Sequence, residues 1–309
     1  MDTIQFPYRS ARHLGLLHVI GESGSWEKHD LRVEYDYWIS AEDAHKGIAE
    51  GSVEFVGGNH LTPYSARARG DNWVYVGQTQ NVMPHKLVVR EDSGIDSVDD
   101  LRGKVVGGLP ATAHPQLTTW LYLKQHGLDG EQGEVTLKES HSQPQAVKDG
   151  EVDAVFVTAP ADLRARNMGL KVIDVDFMPM IEFTTLSTSL TFVDRHPDLV
   201  ERFVKGVMEG IAFFKTRKAE TLDIMRAKYS PRGEELDEAA CEHLYEELAS
   251  TLESKLYPGL RAVDNVYTLA VHEDEAAAQV EPMSLWDTHF ARRLDDSGFI
   301  DSLYAPARG

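Results

Sequence analysis

Short apolar runs alternate along this chain with longer amphipathic stretches, and that alternation restricts the fold more than any other feature. It is the pattern of an α/β chain in which strands and helices follow one another. Residues 3–8 read as a first strand and 13–20 as the helix after it. Residues 31–38 place Leu31, Val33, Tyr35 and Tyr37 against Arg32, Glu34 and Asp36, a period-two strand. A helix over 41–50 and a strand over 53–56 follow, the strand ending at Gly57-Gly58. Further strands are expected over 73–78, 86–90, 105–107, 135–138 and 154–157. Helices are expected over 97–101, capped by Ser97, over 116–126, stopped by Gly127, and over 143–148. After about residue 197 the chain turns helical, with Leu199, Phe203, Val207, Ile211 and Phe214 at helical spacing.

At 309 residues the chain is about twice a typical domain, so two domains or one large one are expected. Fifty Asp and Glu against 31 Lys and Arg give a formal charge of -19. Such a surface repels a phosphate backbone and an anionic leaflet, which argues against nucleic-acid binding and membrane docking. A small anion needs only a local set of Arg, His and helix N-termini, so that class stays open. The single cysteine, Cys241, excludes an intramolecular disulfide, a thiolate metal cluster and a CxxC redox pair. No apolar run reaches about 18 residues and the first residues lack a basic segment followed by an apolar one, so a cytoplasmic protein is expected unless a leader has been removed.

Three segments carry a family resemblance. They are 44–56 (AHKGIAEGSVEFV), 87–123 with its DLRGK step and TAH helix start, and 145–157 with GEVDA, followed by the return helix in DRHPDLVERFVKGVMEGIAFFK. Their order resembles the SsuA/THI5-like (NMT1-like) branch of the type II periplasmic-binding-protein fold, over nearly the whole chain. The resemblance implies an α/β fold of two lobes, 1–82 with 187–309 and 83–186, a ligand cleft between them and a helical C-terminal region.

In open α/β sheets, ligands bind at the carboxyl ends of the strands. That rule selects the loops at 9–13, 39–42, 57–64, 108–114, 140–143 and 158–162. They hold His13, His60, His114 and His141 beside Arg9, Arg12, Asn59, Thr62, Tyr64 and Thr112, with His85 close by at the expected crossover. Imidazole changes protonation near neutral pH, so His60 and His114 are the candidate proton-transfer residues, and the others are candidate ligand contacts. Each has a plainer reading: His114 as a helix-start or simple binding residue, His60 as a turn histidine, His13 as a solvent-facing helix residue. His18, His29, His45, His126, His196, His243, His272 and His289 read as surface or packing residues.

No HExxH, HxH or pair of histidines at i and i+4 is present, so no metal is expected. GxGxxG, GxxxxGK[ST] and GxSxG are also missing, which disfavours nucleotide chemistry and a serine hydrolase. Within the resembled family, pyrimidine synthases carry a cysteine-rich segment that this chain lacks. The family's desulfinase has a nucleophilic cysteine at the position that corresponds to Ala11 here. Two expectations remain. One is a cytosolic, cofactor-independent lyase that decarboxylates a small aromatic carboxylate, with Arg9 or Arg12 and the Thr112 backbone holding the carboxylate. The other is the solute-binding protein of an ABC transporter for a small organic anion such as a sulfonate, an aromatic acid or a pyrimidine precursor. The amphipathic stretches 234–252 and 276–304 fit either a homodimer face or packing on their own lobe.

Overall fold

The computed structural model describes residues 1–108, 114–140, 143–229 and 236–305. Among these, the elements in chain order are β1 (Asp2–Gln5), α1 (Leu14–Glu22), β2 (Leu31–Glu34), α2 (Ala41–Glu50), β3 (Val56–Gly57), α3 (Thr62–Ala68), β4 (Trp73–Met83) and β5 (Lys86–Val89). Then come β6 (Val105–Gly108), α4 (His114–Gln125), β7 (Thr136–Glu139), α5 (Gln143–Lys148), β8 (Ala154–Val157), α6 (Ala161–Asn167), β9 (Lys171–Asp174) and β10 (Met178–Ser189). The remainder is helical: α7 (Leu190–Arg195), α8 (Pro197–Thr216), α9 (Lys218–Lys228), α10 (Glu238–Thr251), α11 (Leu260–Glu273), α12 (His289–Asp296) and α13 (Phe299–Tyr304). The architecture is the type II periplasmic-binding-protein fold.

The chain divides into two compact units. Unit 1 is Met1–Asn81, Met180–Cys241 and Leu248–Gly309; unit 2 is Val82–Pro179 with Glu242–Glu247.

In unit 1, β1 and β2 pair in parallel, and a three-stranded ladder runs β3-β10-β4. Single bridges from Tyr8 to Trp38 and to Gly57 join the two groups. Pro7 has no backbone N–H, which explains why β1 stops short of the expected residue 8. The core is aromatic. Phe203 of α8 stacks on Phe55 with centroids 3.9 Å apart, and Trp26 and Phe6 close around it. Gly206 and Gly210 let α8 lie against Trp26 and Ile20, because a Cβ at either glycine would overlap those side chains. The spacing of Phe203, Val207, Ile211 and Phe214 is thus that of a helix face buried in the core. Helices α12 and α13 pack on α8, within their own unit.

In unit 2, five strands run in the order β7-β6-β8-β5-β9. β6 is parallel to β7 and β8, whereas β5 is antiparallel to β8 and β9. Val88, Val147, Val155 and Ala165 fill the layer between the sheet and α5 and α6. Every residue of β8 is buried, as a strand covered on both faces requires.

Candidate functional site

The loop after β3 is held from all sides by its backbone. Gly57 N–H donates to the Pro7 carbonyl at 2.8 Å, and the Gly57 carbonyl accepts from Arg9 N–H at 3.0 Å. Gly58 N–H donates to the Thr185 carbonyl at 3.0 Å, and the Gly58 carbonyl accepts from the Ser187 hydroxyl at 2.8 Å. The Tyr75 hydroxyl reaches the carbonyls of Asn59 and His60 at 3.1 and 3.3 Å. Gly58 and Asn59 both take left-handed backbone, at φ of 102° and 69°. Glycine does so without strain, and asparagine is among the residues that tolerate it best.

His13, in the 3₁₀ turn 11–13 before α1, packs on this loop. A Cβ at Gly58 would stand 2.9 Å from the His13 Cε1 atom. The ring is 4% exposed, and its Nδ1 makes no hydrogen bond of ordinary geometry among the described residues. Burial, then the neighbouring His60 and Arg12, lowers its pKa from 6.5 to about 3, against weaker upward pulls from Glu182 and the Gly57 backbone. His13 is therefore neutral at pH 7. The Asn59 amide nitrogen is likewise buried with no partner among the described residues. Leaving such a group unpaired costs about 1–3 kcal/mol, so an open donor on this loop beside the buried His13 ring stands out.

Around them lie the charged residues. The Arg12 guanidinium is 4.0 Å from Glu182, a carboxylate that is itself 5% exposed. Arg9 is half-buried, donates to the Ile39 carbonyl and sits 5.8 Å from the Trp38 ring; burial lowers its pKa. His60 Nε2 is 3.1 Å from the Phe183 carbonyl, which can only accept, so this nitrogen carries the proton. Phe183 has a φ of 61°, a genuine outlier for a bulky residue, and its ring lies 5.5 Å from that of His13. Unit 1 thus brings together Arg9, Arg12, His13, Asn59, His60 and Thr62 among the expected residues.

The other expected residues fall elsewhere. Tyr64 is fully buried beside Tyr75 and Tyr267, with its hydroxyl accepting from Trp286 Nε1–H at 3.2 Å. It is a core residue enclosed by aromatic side chains. His85 belongs to unit 2, 3% exposed between Tyr122 and Phe156 with ring centroids 4.3 and 5.2 Å away. This is aromatic packing. His114, also in unit 2, opens α4, with its carbonyl accepting from the Thr118 hydroxyl at 2.9 Å. Thr112 and His141 lie outside the described residues.

Two histidines read from the sequence as surface or packing residues make specific hydrogen bonds. His45 hydrogen-bonds Thr62 and Trp73 in unit 1. His243 Nε2 lies 2.8 and 2.7 Å from the two carboxylate oxygens of Asp162 in unit 2. Asp162 is 0% exposed, and Lys86 Nζ is 3.0 Å from its Oδ2. Burial pushes the Asp162 pKa up, but the bonds from His243 and Lys86 outweigh it and leave the carboxyl below its ordinary value. Single residues far apart in sequence leave no local signal for such a triad. Among the described residues, no group of three or more His, Cys, Asp or Glu is disposed to hold a metal ion, and no helix is long and apolar enough to cross a membrane.

The sequence profile described as NMT1/THI5 like matches residues 12–220. The chain belongs to the NMT1/THI5-like family. No curated protein matches it. Solved structures agree on the fold. The periplasmic aliphatic sulphonate binding protein SsuA from Escherichia coli is 14% identical, with a TM-score of 0.70 over 92% of this chain and 99% of that one. A periplasmic sulfonate-binding protein SsuA from Methylobacillus flagellatus KT gives 15% and 0.72 over 99% and 98%. A cysteine-to-serine mutant of the desulfurization enzyme DszB in complex with biphenyl-2-sulfinic acid gives 16% and 0.62 over 96% and 99%. The family fold therefore hosts both binding proteins and an enzyme, and at these identities the likeness concerns the fold alone.

Proposed function

We propose that this chain is a solute-binding protein for a small organic anion, held by the 57–60 loop and the residues packed on it. The observation that carries this reading is the Asn59 amide nitrogen on that loop, buried with no partner among the described residues, with the neutral His13 ring packed on the loop and the cations of Arg9 and Arg12 beside it. An amide N–H and two guanidinium groups favour an oxyanion, and a neutral imidazole supplies either a donor or an acceptor according to tautomer. The sulfonate-binding names of the related structures support the same class. The reading goes with delivery of the ligand to an ABC permease and with work outside the cytoplasmic membrane, where cell fractionation of the native host would find the protein.

The test is calorimetry and mass spectrometry of the purified chain with ethanesulfonate, benzenesulfonate, biphenyl-2-sulfinate, benzoate and phthalate. One compound retained at about one per chain with its mass unchanged is the expected result. A second reading, the cofactor-independent lyase acting on an aromatic carboxylate, is favoured by the ionisable groups gathered at His13, His60, Arg12 and Glu182. Many turnovers of benzoate or phthalate, with release of CO2, would replace the first reading by the second.

A further inference from the structure

The carboxamide of Asn59 has two ends, and which of them faces a ligand decides whether the site attracts an anion or a cation. A chain of three hydrogen bonds settles the orientation. Trp73 Nε1–H can only donate, and it lies 3.0 Å from His45 Nδ1, so that nitrogen is an acceptor and carries no proton. Burial lowers the His45 pKa, as does Arg9 more weakly, against an upward pull from Asp71, whose carboxylate is 3.9 Å from Nδ1. The neutral ring consequently bears its proton on Nε2, which lies 2.9 Å from the Thr62 hydroxyl oxygen. Having accepted there, Thr62 turns its own proton to Asn59 Oδ1, also at 2.9 Å. The oxygen of the amide is thereby occupied, and the amide nitrogen is the end left over, buried and without a partner among the described residues.

We infer that His45 and Thr62 are positioning residues that lock the Asn59 amide with its nitrogen presented as a hydrogen-bond donor, which selects an oxyanion over an ammonium group. The inference rests on the binding function proposed above and deepens it. His45 comes from α2, Thr62 from the first turn of α3 and Trp73 from β4, so the relay ties three elements of unit 1 to one loop. The His45 ring also packs edge-on against the Trp73 indole, with centroids 4.7 Å apart, which limits its rotation.

Two measurements separate the relay from the function it serves. In the ligand-free protein, nitrogen-15 NMR of the imidazoles is expected to show His45 as the neutral Nε2–H tautomer at pH 7. The two Asn59 side-chain amide protons are expected to be sharp and distinct. Thr62→Val should merge or broaden them, and Thr62→Ser, which keeps the hydroxyl, should restore them. An Nδ1–H tautomer, or amide signals indifferent to Thr62→Val, overturns the relay whatever the protein binds. In calorimetry with ethanesulfonate and benzenesulfonate, Thr62→Val and His45→Leu should each weaken binding about tenfold. His45→Gln, which can accept and donate at the same two places, should recover most of the loss. Asn59→Asp, which replaces the donor with a second acceptor, should weaken binding about a hundredfold or more. Wild-type affinity in Thr62→Val shows that the relay does not serve the anion. Failure of the wild type to bind either probe, with the NMR result as expected, overturns the anion assignment while the relay stands.

Discussion

Each unit buries a cluster of polar side chains around a histidine, and the two clusters are finished differently. In unit 2, Asp162 has no exposed surface, yet both of its oxygens are bonded, by His243 and by Lys86. In unit 1, the loop at 57–60 has its four carbonyls and the Gly57 and Gly58 N–H groups bonded, while His13 Nδ1 and the Asn59 amide nitrogen are buried with no partner of ordinary geometry among the described residues. A satisfied network rigidifies the fold, whereas an unsatisfied one lowers stability and persists where it serves a ligand. The contrast is one of hydrogen-bond satisfaction between these two clusters, and the open donor at Asn59 is what the proposed binding function would use.

Breaking the unit 2 cluster should have the largest effect. Asp162→Ala leaves His243 and Lys86 facing each other without their shared carboxylate, and stability measured by urea unfolding should fall by about 3–5 kcal/mol. Anion affinity per folded molecule should not change, and a large change there would erase the distinction between the two clusters.

The next effect is in the acid range and belongs to unit 1. His13 titrates near 6.5 in the unfolded chain and at about 3 in the folded one, so between these values the unfolded state binds more protons. Stability is complete above about pH 6.5 and falls as the pH drops toward 3, by at most ~1.4 kcal/mol per pH unit from this one group. Asp162 acts later, because its lowered pKa withholds its contribution only below the ordinary carboxylate value of 3.8. Urea unfolding at pH 7 and at pH 4.5 should show the loss in wild type and a much smaller loss in His13→Leu; equal losses would remove His13 from the argument.

A smaller effect is expected at Gly58. An alanine there must hold a φ of 102° and place its Cβ 2.9 Å from the His13 ring, so Gly58→Ala should cost about 1–3 kcal/mol. It should weaken anion binding as well, since the ring is displaced. The smallest net effect on stability should come from Asn59→Ala, about 1 kcal/mol, because removal of a buried donor with no partner among the described residues offsets the lost Thr62 hydrogen bond and the strain of alanine at a φ of 69°. Its affinity for benzenesulfonate should nevertheless fall about tenfold or more. A drop in stability as large as that of Asp162→Ala would make Asn59 structural instead.

Much of the scaffold was legible from local pattern. The helix expected over 41–50 and the strand expected over 154–157 coincide with α2 and β8, and the helix expected over 143–148 with α5. Each has its own cap, period or apolar run. β10 carried no such signal: MPMIEFTTLSTS is buried almost throughout, so it shows no inside-outside alternation. Residue type and loop position singled out Arg9, Arg12, His13, Asn59, His60 and Thr62, which the structure gathers around one loop of unit 1. The same rule also collected Tyr64 and His85, because a residue near a strand end can face the core as easily as the solvent. His45 was missed because it sits inside a helix with no motif around it, and its partner Trp73 is 28 positions away.

By itself the sequence determined the α/β class, the family and the loops that end the strands, since these follow from periodicity and from short motifs read in order. Which polar atoms on those loops are bonded and which are left open was decided only by the tertiary structure. Hydrogen-bond satisfaction depends on atoms from β4, α2 and α3 meeting at distances near 3 Å, and no local pattern encodes such a meeting.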